Sequence, residues 1–181
     1  MLDDSGYPDF KEEYGIREAY DEADAIAVHG DTMYISGTRL DRLSGLRDVL
    51  DDVTFVPLRE AYNAQRYQQA LAALKKCGGR VKYLVGHSLG GAVAAALTEQ
   101  FPELQARVYG APLLRSSDSV RVRSFRHRYD PISMLDRGAV VNRAPGWNPH
   151  SLAGYLAHGR RASKQKSGSG VKARSAWPSF S

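Results

Sequence analysis

Apolar positions recur along the chain at two spacings, and reading them in order predicts a succession of helices and strands. Between Asp9 and Ala23, Phe10, Tyr14, Ile16 and Tyr20 stand among charged residues, the pattern of an amphipathic helix. Ala25-Ile26-Ala27-Val28 and Met33-Tyr34-Ile35 flank a tight His29-Gly30-Asp31 turn, which predicts an antiparallel hairpin. Leu40, Leu43, Leu46, Val49 and Leu50 recur every three or four residues, so a helix is expected over Arg39 to Leu50. Val53-Thr54-Phe55-Val56 reads as a strand closed by Pro57. From Arg59 to Lys76 the residues Ala64, Tyr67, Leu71 and Leu74 share one stripe, and Gly78-Gly79 stops that helix. Val81 to Val85 is apolar apart from Lys82, as expected of a buried parallel strand. An Ala-rich helix over Gly90 to Gln100 comes next, then strands over Arg107 to Tyr109 and Ser119 to Phe125. Strand and helix alternate, which argues for a mostly parallel sheet with helices on both faces.

Chemistry enters at Val85-Gly86-His87-Ser88-Leu89-Gly90-Gly91-Ala92. A serine between two glycines, with a strand before it and a helix after it, has the spacing of a nucleophile elbow. The turn is sharp enough to strain the serine backbone, and side chains at 86 or 90 would collide with neighbouring backbone. The helix starting near Leu89 directs its free N–H groups at a developing oxyanion. A GxSxG string alone also occurs in plain turns; the flanking strand and helix give it weight here.

A serine hydroxyl needs a base, and in this arrangement the chain order is nucleophile, acid, histidine. Three histidines follow Ser88. His127 lies between two arginines and reads as a strand-edge residue. His150, on a loop before Ser151-Leu152-Ala153-Gly154-Tyr155-Leu156, is the favoured base; His158, beside Gly159, is its alternative and otherwise a helix cap. For the acid, Asp130 ends the Val120 to Tyr129 run and precedes Pro131, so it occupies a loop directly after a strand. Asp118, in a turn, and Asp136 compete with it.

Four segments together resemble the class 3, fungal-type lipases of the α/β-hydrolase superfamily, over residues 20 to 157. They are Met33-Tyr34-Ile35-Ser36-Gly37-Thr38, Leu46 to Asp52, the elbow from Tyr83 to Ala92, and Tyr109-Gly110-Ala111-Pro112 with Tyr129-Asp130-Pro131-Ile132. The resemblance implies an α/β-hydrolase fold and cleavage of a carboxylic ester by Ser88, Asp130 and His150. It also implies an oxyanion hole from Thr38 and the Leu89 N–H; read alone, Gly37-Thr38 is equally a strand-to-helix turn. The chain departs from the family pattern in three places. Ser36 stands where an arginine is usual, and the interval from Asp130 to His150 leaves room for an abbreviated last strand and helix only. No long apolar insertion follows Thr38, which implies a compact, lidless enzyme open to small esters, phospholipids or triglycerides.

Composition changes this picture at one end. With 43% hydrophobic and 25% charged residues in 181, the chain is long enough for one domain with a substantial core. Of 25 basic residues six lie from Arg160 onward, where there is no acid, leaving 19 basic against 20 acidic in 1–159. We therefore divide the chain into a hydrolase domain, 1–159, and a basic, Gly/Ser-rich tail, 160–181, too polar to fold alone. The tail is either an arm for nucleic acid or another anionic surface, or a solvated extension. It motivates the rival reading, a degenerate hydrolase scaffold acting as a nucleic-acid- or capsid-associated protein, to which Arg121, Arg123, Arg126 and Arg128 would contribute. A lone Cys77, an acidic start and no membrane-length apolar run are the marks of an intracellular chain. No metal or organic cofactor is implied.

Overall fold

Strand residues point alternately to opposite faces of a sheet, and here each set meets a different partner. The computed structural model describes residues 10–37, 56–113, 120–134, 136–142, 150–152 and 154–155, with backbone alone for Phe10, residues 56–64 and Asn142. Among them are helices α1 (Phe10–Asp21), α2 (Val56–Lys76) and α3 (Leu89–Gln100). The strands are β1 (Ile26–His29), β2 (Thr32–Ile35), β3 (Tyr83–His87), β4 (Gln105–Tyr109), β5 (Val122–His127) and β6 (Val140–Asn142). They form one six-stranded sheet in the order of the chain, antiparallel between β1 and β2 and parallel from β2 to β6.

The register explains the layers. Met33 pairs with Leu84, Leu84 with Ala106 and Ala106 with Val122, so one apolar row crosses four strands. That row packs in one cluster with Ala70 and Leu74 of α2 and Val93, Ala94 and Leu97 of α3. The residues one step along face the other way. Tyr34, Val85, Tyr109 and Phe125 meet Ile16 and Ala19 of α1, with Tyr155 completing the cluster. This is the α/β-hydrolase architecture expected from the sequence, helices on both faces included.

Several local expectations need correction. Val56 and Pro57 are not the end of a strand but the first turn of α2, where proline's missing N–H costs nothing; 53–55 lie outside the described residues. The inward side of α1 holds Glu12 and Glu13, whereas Tyr14 is 58% exposed. Arg107 on β4 faces this helix, and Glu12 answers it at 3.6 Å while accepting the Tyr109 hydroxyl at 2.6 Å. The Arg107 guanidinium also lies over the Phe125 ring, 4.8 Å from its centroid. β5, read as an edge strand, lies between β4 and β6, and its last residue His127 is fully buried against Tyr155. The hairpin is as expected, with Gly30 at φ 60° in its two-residue loop. The last strand is short, at three residues. The expected helix over Arg39 to Leu50 and the absence of a lid after Thr38 lie outside the described residues.

Candidate functional site

Ser88 sits between the end of β3 and the start of α3 with φ 55° and ψ −129°, a backbone state costly for any residue with a side chain. Its neighbours make the turn achievable. A Cβ at Gly86 would lie 2.6 Å from the Gly90 carbonyl oxygen, and one at Gly90 would overlap the Ile35 carbonyl oxygen of β2. The Ser88 N–H donates to the Tyr109 carbonyl at 2.9 Å, which pins the turn to the adjacent strand. The side chain is thereby held at the carboxyl end of the sheet, where ligands bind in open α/β folds.

Two later segments meet it there. Asp130 follows β5, and His150 follows β6 at the entrance to a helical turn that carries Leu152 and Tyr155. The Ser88 Oγ lies 2.8 Å from His150 Nε2. On the other side of the ring, Nδ1 lies 2.9 Å and 3.0 Å from the two Asp130 oxygens. A carboxylate accepts hydrogen bonds, so it selects the tautomer with the proton on Nδ1 and leaves the Nε2 lone pair facing the serine. Two of the alternatives meet other groups. His127 packs under Tyr155, and Asp136 accepts the Ser124 hydroxyl at 2.6 Å and the Gly138 N–H at 3.1 Å, closing its own turn. Asp118, His158 and the 160–181 tail lie outside the described residues.

Asp130 is wholly buried, and His150 is 1% exposed. Burial alone would raise the Asp130 carboxyl, but its hydrogen bond and charge pairing with His150, joined by the Ile132 N–H at 3.0 Å, outweigh this and lower it. The Tyr155 hydroxyl donates to Asp130 Oδ2 at 3.0 Å and accepts the His127 N–H at 3.1 Å. Burial first, and the Asp130 charge second, raise that phenol well above its ordinary value, so it stays a donor.

Leu89 opens α3, so its N–H has no intrahelical acceptor. Gly37 comes so close to the turn that a Cβ there would lie 2.6 Å from Ser88 Cβ. Thr38, the other residue expected at an oxyanion hole, lies outside the described residues. Sequence reasoning missed Tyr155 and Tyr20, because a lone tyrosine in an apolar helical pattern carries no sign of the polar group it will meet. Ser36, in place of an arginine, is fully buried and donates to the Ala19 carbonyl at 3.0 Å. Among the described residues no three His, Cys, Asp or Glu side chains gather in a group able to hold a metal ion, and no helix is long and apolar enough to cross a membrane.

No curated protein and no solved structure matches the chain. The model of the alpha/beta hydrolase family matches residues 25–180, which takes in the whole sheet and each of the three side chains that meet at Ser88. On this match, and on a six-stranded sheet layered with helices, the chain belongs to the alpha/beta hydrolase family and is a hydrolase.

Proposed function

We propose that the chain is a serine hydrolase that cleaves a carboxylic ester through an acyl-enzyme on Ser88, as in the class 3 lipases it resembles. The observation that carries this reading is the continuous contact from Ser88 Oγ to His150 Nε2, at 2.8 Å, and from His150 Nδ1 to Asp130, at 2.9 Å. His150 takes the serine proton as Oγ attacks the ester carbonyl, and Asp130 stabilises the imidazolium that forms. The tetrahedral oxyanion is held by the Leu89 N–H and by Thr38. His150 then returns the proton to the departing alcohol. Water, deprotonated by the same imidazole, attacks the acyl-serine and releases the acid. The serine geometry, the charge on Asp130 and the helix start at Leu89 each support one of these steps. In the same reading the segment 160–181 is a polar extension of the enzyme that makes at most weak contact with an anionic surface or nucleic acid.

The test is hydrolysis of p-nitrophenyl esters of short, medium and long acyl chains by the wild-type chain and by Ser88→Ala. Removing the nucleophile is expected to reduce kcat by several orders of magnitude, up to about a million-fold. The acyl length preferred by the wild type separates esterase from lipase. A wild-type chain inert toward all three lengths, or a Ser88→Ala variant as active as its parent, would overturn the proposal.

A further inference from the structure

We propose that Tyr20 and His87 act together as a clamp that positions His150 through its backbone. The Tyr20 hydroxyl holds the His87 ring in the tautomer whose Nε2–H binds the His150 carbonyl. This rests on the reading of His150 as the base for Ser88, and neither clamp residue is required to touch substrate.

The argument starts from hydrogen-bond polarity. His87 Nε2 lies 3.2 Å from the His150 carbonyl oxygen, which can only accept, so the proton of a neutral ring is on Nε2. The other nitrogen, Nδ1, must then accept, and the partner within reach is the Tyr20 hydroxyl at 2.7 Å. Tyr20 accepts in turn from the Gly37 backbone N–H. One chain of bonds thus runs from the backbone beside Thr38, through α1, to the backbone of the base. The two imidazoles also stack, 5.4 Å apart and inclined by 29°.

Charge keeps the clamp in a single state. The groups around His87 are Tyr20 from α1, His127 from β5, Asp130, His150 and Tyr155; Arg66 of α2 acts on the Tyr20 side. Burial above all, then the proximity of His150, lower His87 to about 3, with Asp130 offsetting part of this. His87 therefore stays neutral and does not compete with His150 for the serine proton. Tyr20 is raised by its burial and remains a donor. The ends of the His150 side chain are fixed by Ser88 and Asp130, while its backbone is fixed by His87. A displacement of about 1 Å at such a site costs on the order of a hundred-fold in rate, which is the error the clamp prevents.

The test compares full-length wild type, Tyr20→Phe, His87→Gln and His87→Leu. In Tyr20→Phe the ring is free to change tautomer, and kcat per titratable serine is expected to fall about ten-fold with KM within about two-fold, the loss of one buried hydrogen bond. In His87→Gln the amide keeps a donor toward the carbonyl, so kcat stays within about three-fold of wild type; His87→Leu loses that donor and falls by about ten-fold or more. Equal losses in His87→Gln and His87→Leu would reduce the role of His87 to packing and overturn the proposal. Imidazole nitrogen NMR of the wild type gives a readout independent of ester turnover. It should show His87 as the Nε2–H tautomer, not titrating between about pH 9 and 5. A Nδ1–H tautomer, or an ordinary histidine titration, would overturn the clamp even in an active esterase. An inert wild type with the expected tautomer would instead overturn the proposed reaction and leave the hydrogen-bonded geometry standing.

Discussion

The two faces of the sheet are built from different materials. Toward α2 and α3 the contact is made by Met33, Ile35, Leu84, Ala106, Val108 and Val122, all aliphatic or sulfur-bearing and buried. Toward α1 and the 150–155 segment the same strands present Tyr109, Arg107 and His87, met by Glu12, Tyr20 and Tyr155. The first face is non-directional: apolar burial contributes roughly in proportion to area and tolerates small shifts. On the second, each contact has an angle and a length, and an unpaired buried group is costly. The lesson is a division of labour. Stability is drawn mostly from the α2/α3 face, whereas the contacts that orient His150 and Asp130 come from the α1 side.

Substitutions that separate rate from stability put this division at risk. The largest effect is expected at Asp130→Asn. The amide cannot select the Nδ1–H tautomer of His150, and kcat should drop about ten-thousand-fold while thermal unfolding changes little. If kcat survives, Asp130 does not serve the reaction. On the opposite face, Leu84→Ala should lower unfolding free energy by about 2–5 kcal/mol, measured in urea, with kcat of the folded fraction unchanged. A large fall in kcat there would show that the apolar layer also aligns the site. Tyr155→Phe removes a donor from Asp130 and loosens the carboxylate that orients His150, so kcat should fall by up to about ten-fold, the loss of one buried hydrogen bond. A kcat equal to that of the wild type would count against this contact.

The same face also bears on acid stability. His87 is depressed in the folded state from the ordinary 6.5 to about 3, so between those values the unfolded chain binds a proton that the folded one refuses. Its contribution is complete above pH 6.5 and is lost as pH falls toward 3. The melting temperature should therefore decline over that window, with a shallower slope in His87→Gln. Equal slopes would mean that other groups govern acid unfolding.

Legibility in the sequence followed the same split. Ser88 stood out because the backbone state at an elbow restricts residues 86 and 90, a local demand written at fixed spacing. His150 and Asp130, which the structure brings to Ser88, were expected from chain order and from their loops after strands. By contrast, the inward turn of Glu12 depends on Arg107, 95 positions away, and no helical periodicity contains it. His127 looked like a solvated edge because of Arg126 and Arg128, yet alternation along β5 turns it inward while Arg128 stays exposed. Val56 carried a β-branched signal that the longer helical register of α2 overrode. The ester specificity and the resemblance to class 3 lipases were read from motif segments, one of which continues into Thr38, outside the described residues.

The strand order of the sheet, β1 to β6 without a crossing, also has a consequence for the ribosome. Each of the six described strands, on leaving the exit tunnel, finds the open edge of its predecessor, and none of the six has to be wedged between two already paired. Ser88 arrives with β3 and is anchored by β4, but His150 is translated after β6, 62 residues behind it. A chain still being made carries Ser88 in its turn without the imidazole that meets it in the folded protein. The contact between the two is made last, after all six described strands have been synthesised.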